Sequence, residues 1–185
     1  MLELNRISAG YGKQTVLDGI SVDFEKGKLT SIIGVNGCGK STLLKAILGI
    51  LSLSSGEIFI DGENLLTISR NEIAKKIAYL SQGKNIPDMT VEQMVLHGRF
   101  PYLSYPRRYS SHDREVAIKA MEIVGVAEFA HKPLYSLSGG MRQNAYIAMA
   151  LAQDTDYILL DEPTTYLDIA HQLELMRLLK QLSDN

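Results

Sequence analysis

Apolar positions in this chain follow two rhythms, one of short dense runs and one of helical spacing. LELNRISAG (2–10), TVLDGISVDF (15–24) and KLTSIIGV (28–35) are short runs separated by glycine-bearing turns, which predicts three strands before residue 35. KSTLLKAILGIL (40–51) is apolar on most of its faces and predicts a buried helix. GEIFIDG (56–62) predicts a strand that ends in an Asp-Gly turn. NEIAKKI and then AYLSQ, together 71–82, predict a helix followed by a buried strand.

From residue 86 the pattern becomes helix and loop. TVEQMVLHGRF (90–100) predicts a helix and PYLSYPRRYSS (101–111) a loop with two prolines. DREVAIKAMEIVG (113–125) places Val116, Ala117, Ala120, Met121 and Val124 on one helical face. Ser110 and Asp113 have the spacing of a capping box ahead of it, and Gly125 is its stop. MRQNAYIAMALAQ (141–153) predicts a long helix whose mouth is LSGG. YILLDEP (157–163) returns to the continuous apolar run of a parallel strand covered on both faces. IAHQLELMRLLKQLSDN (169–185) predicts an amphipathic helix. The organisation is an α/β core, an inserted helical lobe over 86–155, and a return to the core over 156–185.

Composition narrows the class. With 19 Lys and Arg against 21 Asp and Glu the net charge is −2, and the pI is near 6.1. That leaves no cation excess to neutralise a duplex, so no nucleic-acid partner is expected. The single cysteine, Cys38, has no intrachain disulfide partner. No signal peptide is visible, and LLKAILGILSL (43–53) falls short of the roughly 18 apolar residues that a spanning helix needs. A soluble protein is expected, linked to a membrane only through a partner.

The chemistry begins at Gly34-Val35-Asn36-Gly37-Cys38-Gly39-Lys40-Ser41, which matches G-x-x-x-x-G-K-[ST] between a predicted strand and a predicted helix. Glycines let the backbone curl until several N–H groups converge, and the helix N-terminus adds positive potential. Lys40 can then reach the β- and γ-phosphates, and the Ser41 hydroxyl can ligate Mg²⁺. The same pattern arises by chance in roughly one chain of this length per hundred. Cys38 reads as a small residue whose backbone does the work. Asp161 and Glu162 follow the YILL run, at the strand end where α/β sheets open onto their ligand crevice. One acid can hold a metal and the next can polarise a water. Kinase, GTPase and motor all remain open on these residues.

LSGGMRQ (137–143) narrows them. With the P-loop, SQ at 81–82, LLDEPTTYLD at 159–168 and Tyr11 upstream, it makes the chain resemble the nucleotide-binding domain of ATP-binding-cassette proteins, over essentially its whole length and in family order. The resemblance implies an α/β fold: a P-loop NTPase, RecA-like core with an N-terminal antiparallel β subdomain, over 1–85 and 156–185, and an inserted α-helical subdomain over 86–155. It implies ATP and Mg²⁺ as ligands. Gly34, Val35, Asn36, Gly37, Cys38, Gly39, Lys40, Ser41 and Thr42 would cradle the phosphates, and Tyr11 would stack on adenine. Ser41, Gln82 and Asp161 would serve the metal. Glu162 would be the general base and Gln82 would sense the γ-phosphate. Asp168 would sit in the loop that couples two sites. Glycine at a helix mouth exposes N–H groups with no side chain in the way; by resemblance, Ser138, Gly139 and Gly140 close over ATP held by a second copy of the domain.

No fused membrane helices are present, which suggests an importer subunit on the cytoplasmic face of the membrane. It would act with an integral-membrane permease and, indirectly, a substrate-binding protein. VLHGRFPYLS and LAQDTDYILLDEPTTYLDIAHQ resemble subunits that energise ferric siderophore, haem or cobalamin uptake. The alternatives are a soluble non-transport cassette ATPase and a nucleotide-binding fragment without turnover. The family's switch histidine lies on a further core strand after Glu162. His171 does not match it and reads as a helix-surface or core histidine. The expectation is therefore a C-terminally incomplete domain within a longer chain, with a gap between the P-loop strand and the YILLD strand and little turnover by itself.

Overall fold

The computed structural model describes residues 1–81, 83, 86–165 and 167–184. They form an α/β chain with two compact units: Met1–Ile73 with Gln181–Asn185, and Ala74–Lys180.

The first unit is built on a four-stranded antiparallel sheet in the order β2-β1-β3-β4. Its strands are β1 (Leu2–Tyr11), β2 (Gln14–Phe24), β3 (Leu53–Ile60) and the short β4 (Glu63–Asn64). Alternation decides which face is covered: Leu2, Leu4, Ile7 and Ala9 of β1 and Ile58 and Ile60 of β3 are almost wholly buried. Each such Leu or Ile stabilises the fold by about 1.5–3 kcal/mol. α1 (Lys40–Ile47) buries Thr42, Leu43, Leu44, Ala46 and Ile47, and packs on β1 and β2. It is shorter than the run 40–51 predicts, because Gly49 turns the chain at φ 64°.

The strand expected over 28–35 is absent. Residues 28–33 have no regular structure, and Leu29, Ile32 and Ile33 are exposed at 42, 40 and 92%. A strand exists only with ladder partners, however β-prone its side chains, and no described residue pairs with this segment.

The second unit holds a two-stranded parallel sheet, β5 (Ile77–Leu80) beside β6 (Tyr157–Leu160), paired in register from Ile77↔Tyr157 to Leu80↔Leu160. β5 follows α2 (Arg70–Lys76) directly. β6 is less covered than its apolar run suggests, since only Tyr157 is fully buried. Three helices fill the region between the strands: α3 (Val91–His97), α4 (Ser111–Ile123) and α5 (Gly139–Ala152). α6 (Ile169–Asp184) follows β6. The Ser110/Asp113 capping box forms as the spacing predicts, and Gly125 ends the turn after α4 at φ 74°. α3 carries a second box, Thr90 with Gln93.

A buried polar knot holds the three helices together. Arg99, 4% exposed, donates from Nε to Asp113 Oδ1 at 3.0 Å and from Nη1 to the Ala152 carbonyl at 3.0 Å. Its guanidinium lies over the Tyr102 ring, 4.0 Å from the centroid. Tyr102 donates its hydroxyl hydrogen to the carbonyl of Gln153 or Asp154, at 3.0 and 3.2 Å. The Gln153 amide in turn donates to the Ile77 carbonyl at 3.1 Å and to that of Ala74. The chain thus runs from α3 and α4 through the end of α5 to the start of β5.

Candidate nucleotide-binding site

The P-loop lies wholly within the first unit. α1 opens at Gly39, in the left-handed region at φ 102°, and no side chain caps the helix. Its first-turn N–H groups are therefore left for an outside acceptor. Gly39 also has neighbours: a β-carbon there would lie 3.1 Å from Val16 Cγ1 and 3.2 Å from Leu17 Cδ2. The loop closes on itself through Cys38 N–H to the Val35 carbonyl at 3.3 Å. Cys38 Sγ turns across the loop to 2.5 Å from the β-carbon position of Gly34, which leaves residue 34 no space for a side chain.

Lys40 Nζ donates to the carbonyls of Gly34 and Val35 at 2.9 and 3.0 Å. A flexible cation hydrogen-bonded to the rim of its own loop has donors to offer an anion entering that loop. Val35 is 79% exposed, and Asn36, Gly37 and Cys38 are exposed beside it. Thr42 is buried one residue after Ser41, which is half-buried. The donor set is one lysine, a serine hydroxyl and uncapped helix N–H groups. This set fits a polyphosphate with a hard cation. Tyr11, at the end of β1, is 49% exposed, and Lys45 Nζ lies 6.0 Å from its ring centroid.

The acidic pair and the signature lie in the second unit. Asp161 leaves β6 with its N–H bonded to the Leu80 carbonyl at 3.0 Å, which extends the ladder by one residue. Tyr79 donates its hydroxyl hydrogen to Asp161 Oδ2 at 3.3 Å. Glu162 follows with φ 50°, a left-handed backbone that costs a non-glycine residue about 1–3 kcal/mol. Thr165 anchors it from two atoms: its N–H donates to the Glu162 carbonyl, and its Oγ1 to Glu162 Oε2, both at 3.1 Å. Gln82 lies outside the described residues.

Ser138 caps α5, with its Oγ accepting from the Met141 N–H at 3.3 Å. Gly139 and Gly140 are the first two helical residues. Asp168 caps α6, accepting from the His171 N–H at 2.9 Å. Hydrogen bonds from the His171 backbone and then its ring hold the Asp168 carboxyl below the usual aspartate range. The sequence gives no hint that Tyr79 and Thr165 meet the acidic pair. For His171 the only signal is its spacing, three residues beyond the capping aspartate.

Comparison with known proteins gives the arrangement its context. The sequence profile of the ABC transporter family matches residues 17–165. The chain is 44% identical over 184 residues to a petrobactin import ATP-binding protein of Bacillus anthracis, covering 99% of this chain and 67% of that one. It is 44% identical to an iron(3+)-hydroxamate import ATP-binding protein of Bacillus subtilis (98% and 68%). It is 42% identical to a ferric enterobactin transport ATP-binding protein of Escherichia coli (96% and 66%). The chain thus spans about two thirds of these relatives' length. Among solved structures, a metal-chelate type ABC transporter in an inward-facing conformation superposes with TM-score 0.86 at 32% identity, over 100% of this chain and 69% of that one. A dimeric bacterial ABC transporter cassette gives 0.81 at 30% identity, over 100% and 83%. The chain belongs to the ABC transporter family, as an ATP-binding cassette.

Proposed function

We propose that this chain is the ATP-binding and ATP-hydrolysing subunit of an importer, and that its cargo is an iron–siderophore complex or a related metal chelate. The observation that carries the nucleotide chemistry is the uncapped start of α1, with Lys40 held over the rim of the loop by the Gly34 and Val35 carbonyls. The cargo class is supported by the import functions named for relatives at 42–44% identity.

On this reading Gly34–Thr42 hold the phosphates through backbone N–H groups, and Lys40 neutralises the outer two. Tyr11 stacks on the base. Ser41, Gln82 and Asp161 serve Mg²⁺, which when bound neutralises charge developing on the phosphates. Glu162, kept in place by Thr165, orients a water and takes its proton. Ser138, Gly139 and Gly140 close over nucleotide held by a second copy of the domain. Two-fold symmetry then gives two composite sites per dimer, a reading supported by the dimeric cassette among the structural neighbours. No described helix is long and apolar enough to cross a membrane. The import functions named for the relatives support a reading in which transport runs through an integral-membrane permease, with the cassettes on the cytoplasmic face and a substrate-binding protein delivering cargo on the other.

The test is uptake of radiolabelled ferric siderophore by cells that depend on the full natural chain. Uptake should be ATP-dependent and fall to background with Lys40→Ala. Wild-type uptake in that variant would reject the reading.

A further inference from the structure

A single ring separates the mouth of α5 from the start of α6. A β-carbon built on Gly140 would overlap His171 Cδ2, and would lie 2.8 Å from Nε2 and 2.9 Å from Cγ. Residue 140 has no room for a side chain while that ring is in place. The backbone is not the reason for glycine here. Gly140 lies inside α5 and is not among the left-handed residues, so alanine would be the better helix former. Gly139 is constrained differently, since the nearest atom to its β-carbon position is Leu167 Cδ2 at 4.0 Å.

The ring is itself held. His171 Nδ1 lies 2.9 and 2.8 Å from the two carboxylate oxygens of Asp168. An ionised carboxylate only accepts, so Nδ1 carries the hydrogen and donates. That fixes the ring's orientation and leaves its Nε2 edge turned to Gly140. Asp168 is fixed in turn as the cap of α6. A cavity lined by Met141, Asn144, Leu167 and Leu175 lies alongside.

We propose that His171 is a positioning residue. Its ring, oriented by Asp168, sets the spacing between the loop after β6 and the Ser138–Gly140 mouth, and residue 140 is glycine to admit the ring. The inference rests on the reading of that mouth as the anion site for a second chain's nucleotide. It makes the carboxylate of Asp168 and the N–H groups of the mouth parts of one rigid piece, so that a shift of the loop after β6 moves the mouth with it.

Two readouts on the full natural chain test it. Thermal unfolding reads the packing without reference to ATP. Gly140→Ala should lower Tm by about 3 °C or more in the wild-type background. In a His171→Ala background the same change should leave Tm unchanged or raise it. Steady-state MgATP hydrolysis reads the positioning. His171→Ala should lower kcat about tenfold, with nucleotide affinity of the separated chain within about twofold of wild type. His171→Asn, which keeps a donor for Asp168 but has no ring edge to meet Gly140, should recover only part of the loss. Additive losses in Tm would overturn the proposal, because the packing at residue 140 would then not depend on the ring. An unaltered kcat in His171→Ala would overturn it too. A wild-type chain that does not hydrolyse MgATP would remove the functional reading and the positioning role with it, while the Tm cycle would still report whether ring and glycine compete for space.

Discussion

The Tyr79 hydroxyl donates to Asp161 Oδ2 at 3.3 Å, across the in-register pairing of β5 and β6. A rigid strand pair thus orients the carboxylate that the proposed site assigns to Mg²⁺. Tyr79→Phe keeps the ring and removes the donor. The Mg²⁺ concentration for half-maximal ATP hydrolysis should rise about threefold to tenfold, in line with a lost hydrogen bond to a charged group. Titration of the full chain with Mg²⁺ at fixed ATP checks it, and an unchanged midpoint would separate Tyr79 from the metal.

Among the described residues Lys40 donates to the exposed Gly34 and Val35 carbonyls and to Cys38 Sγ, all within its own loop. Its removal should therefore leave folding intact. Lys40→Ala should weaken MgATP binding at least about tenfold while Tm stays within about 2 °C of wild type, because the lost contacts are charge-assisted ones to the ligand. Calorimetric titration beside a thermal melt distinguishes a binding defect from an unfolding one.

Arg99 and Asp113 predict both a mutational and a pH effect. Arg99→Ala leaves a carboxylate in a pocket where its side chain is 9% exposed. Loss of one partner of such a pair costs about 3–5 kcal/mol, measurable as a lower urea midpoint. Burial alone would raise the Asp113 pKa, but hydrogen bonds from Ser110 and Arg99 outweigh it and hold it below 3.8. A depressed folded pKa means the unfolded chain binds the proton more readily. The stabilisation is complete above the unfolded value and is lost as pH falls through and below it. Between about pH 5 and pH 3 the wild type should therefore lose stability more steeply than Asp113→Asn. Parallel slopes in the two proteins would contradict this.

The parts legible in the sequence are those written in short stretches. The P-loop is named by eight consecutive residues, and the α4 capping box by the pair Ser110 and Asp113; the box forms as its spacing predicts, whereas the strand expected ahead of the P-loop does not form. Segment 28–35 has the composition of a strand, but a strand is made by its neighbours, and the described residues supply none for it. Gly49 ends α1 early although the apolar pattern continues to Leu51. The contacts of Arg99, Tyr79 and His171 are not legible in local sequence, because each acts on a residue brought close by the fold: Ala152, Asp161 and Gly140. Gly140 is part of a local motif, whereas the ring it accommodates comes from the next helix.

In the proposed site two chains share each nucleotide, and stoichiometry tests that most directly. The measurement is the mass and nucleotide content of the full chain carrying Glu162→Gln, by light scattering after incubation with MgATP. A chain that binds but does not hydrolyse should run as a dimer with one ATP per protomer. Adding Ser138→Arg should return it to a monomer that still holds its ATP. A nucleotide-loaded monomer in the first protein, or a dimer that survives Ser138→Arg, would contradict the shared site.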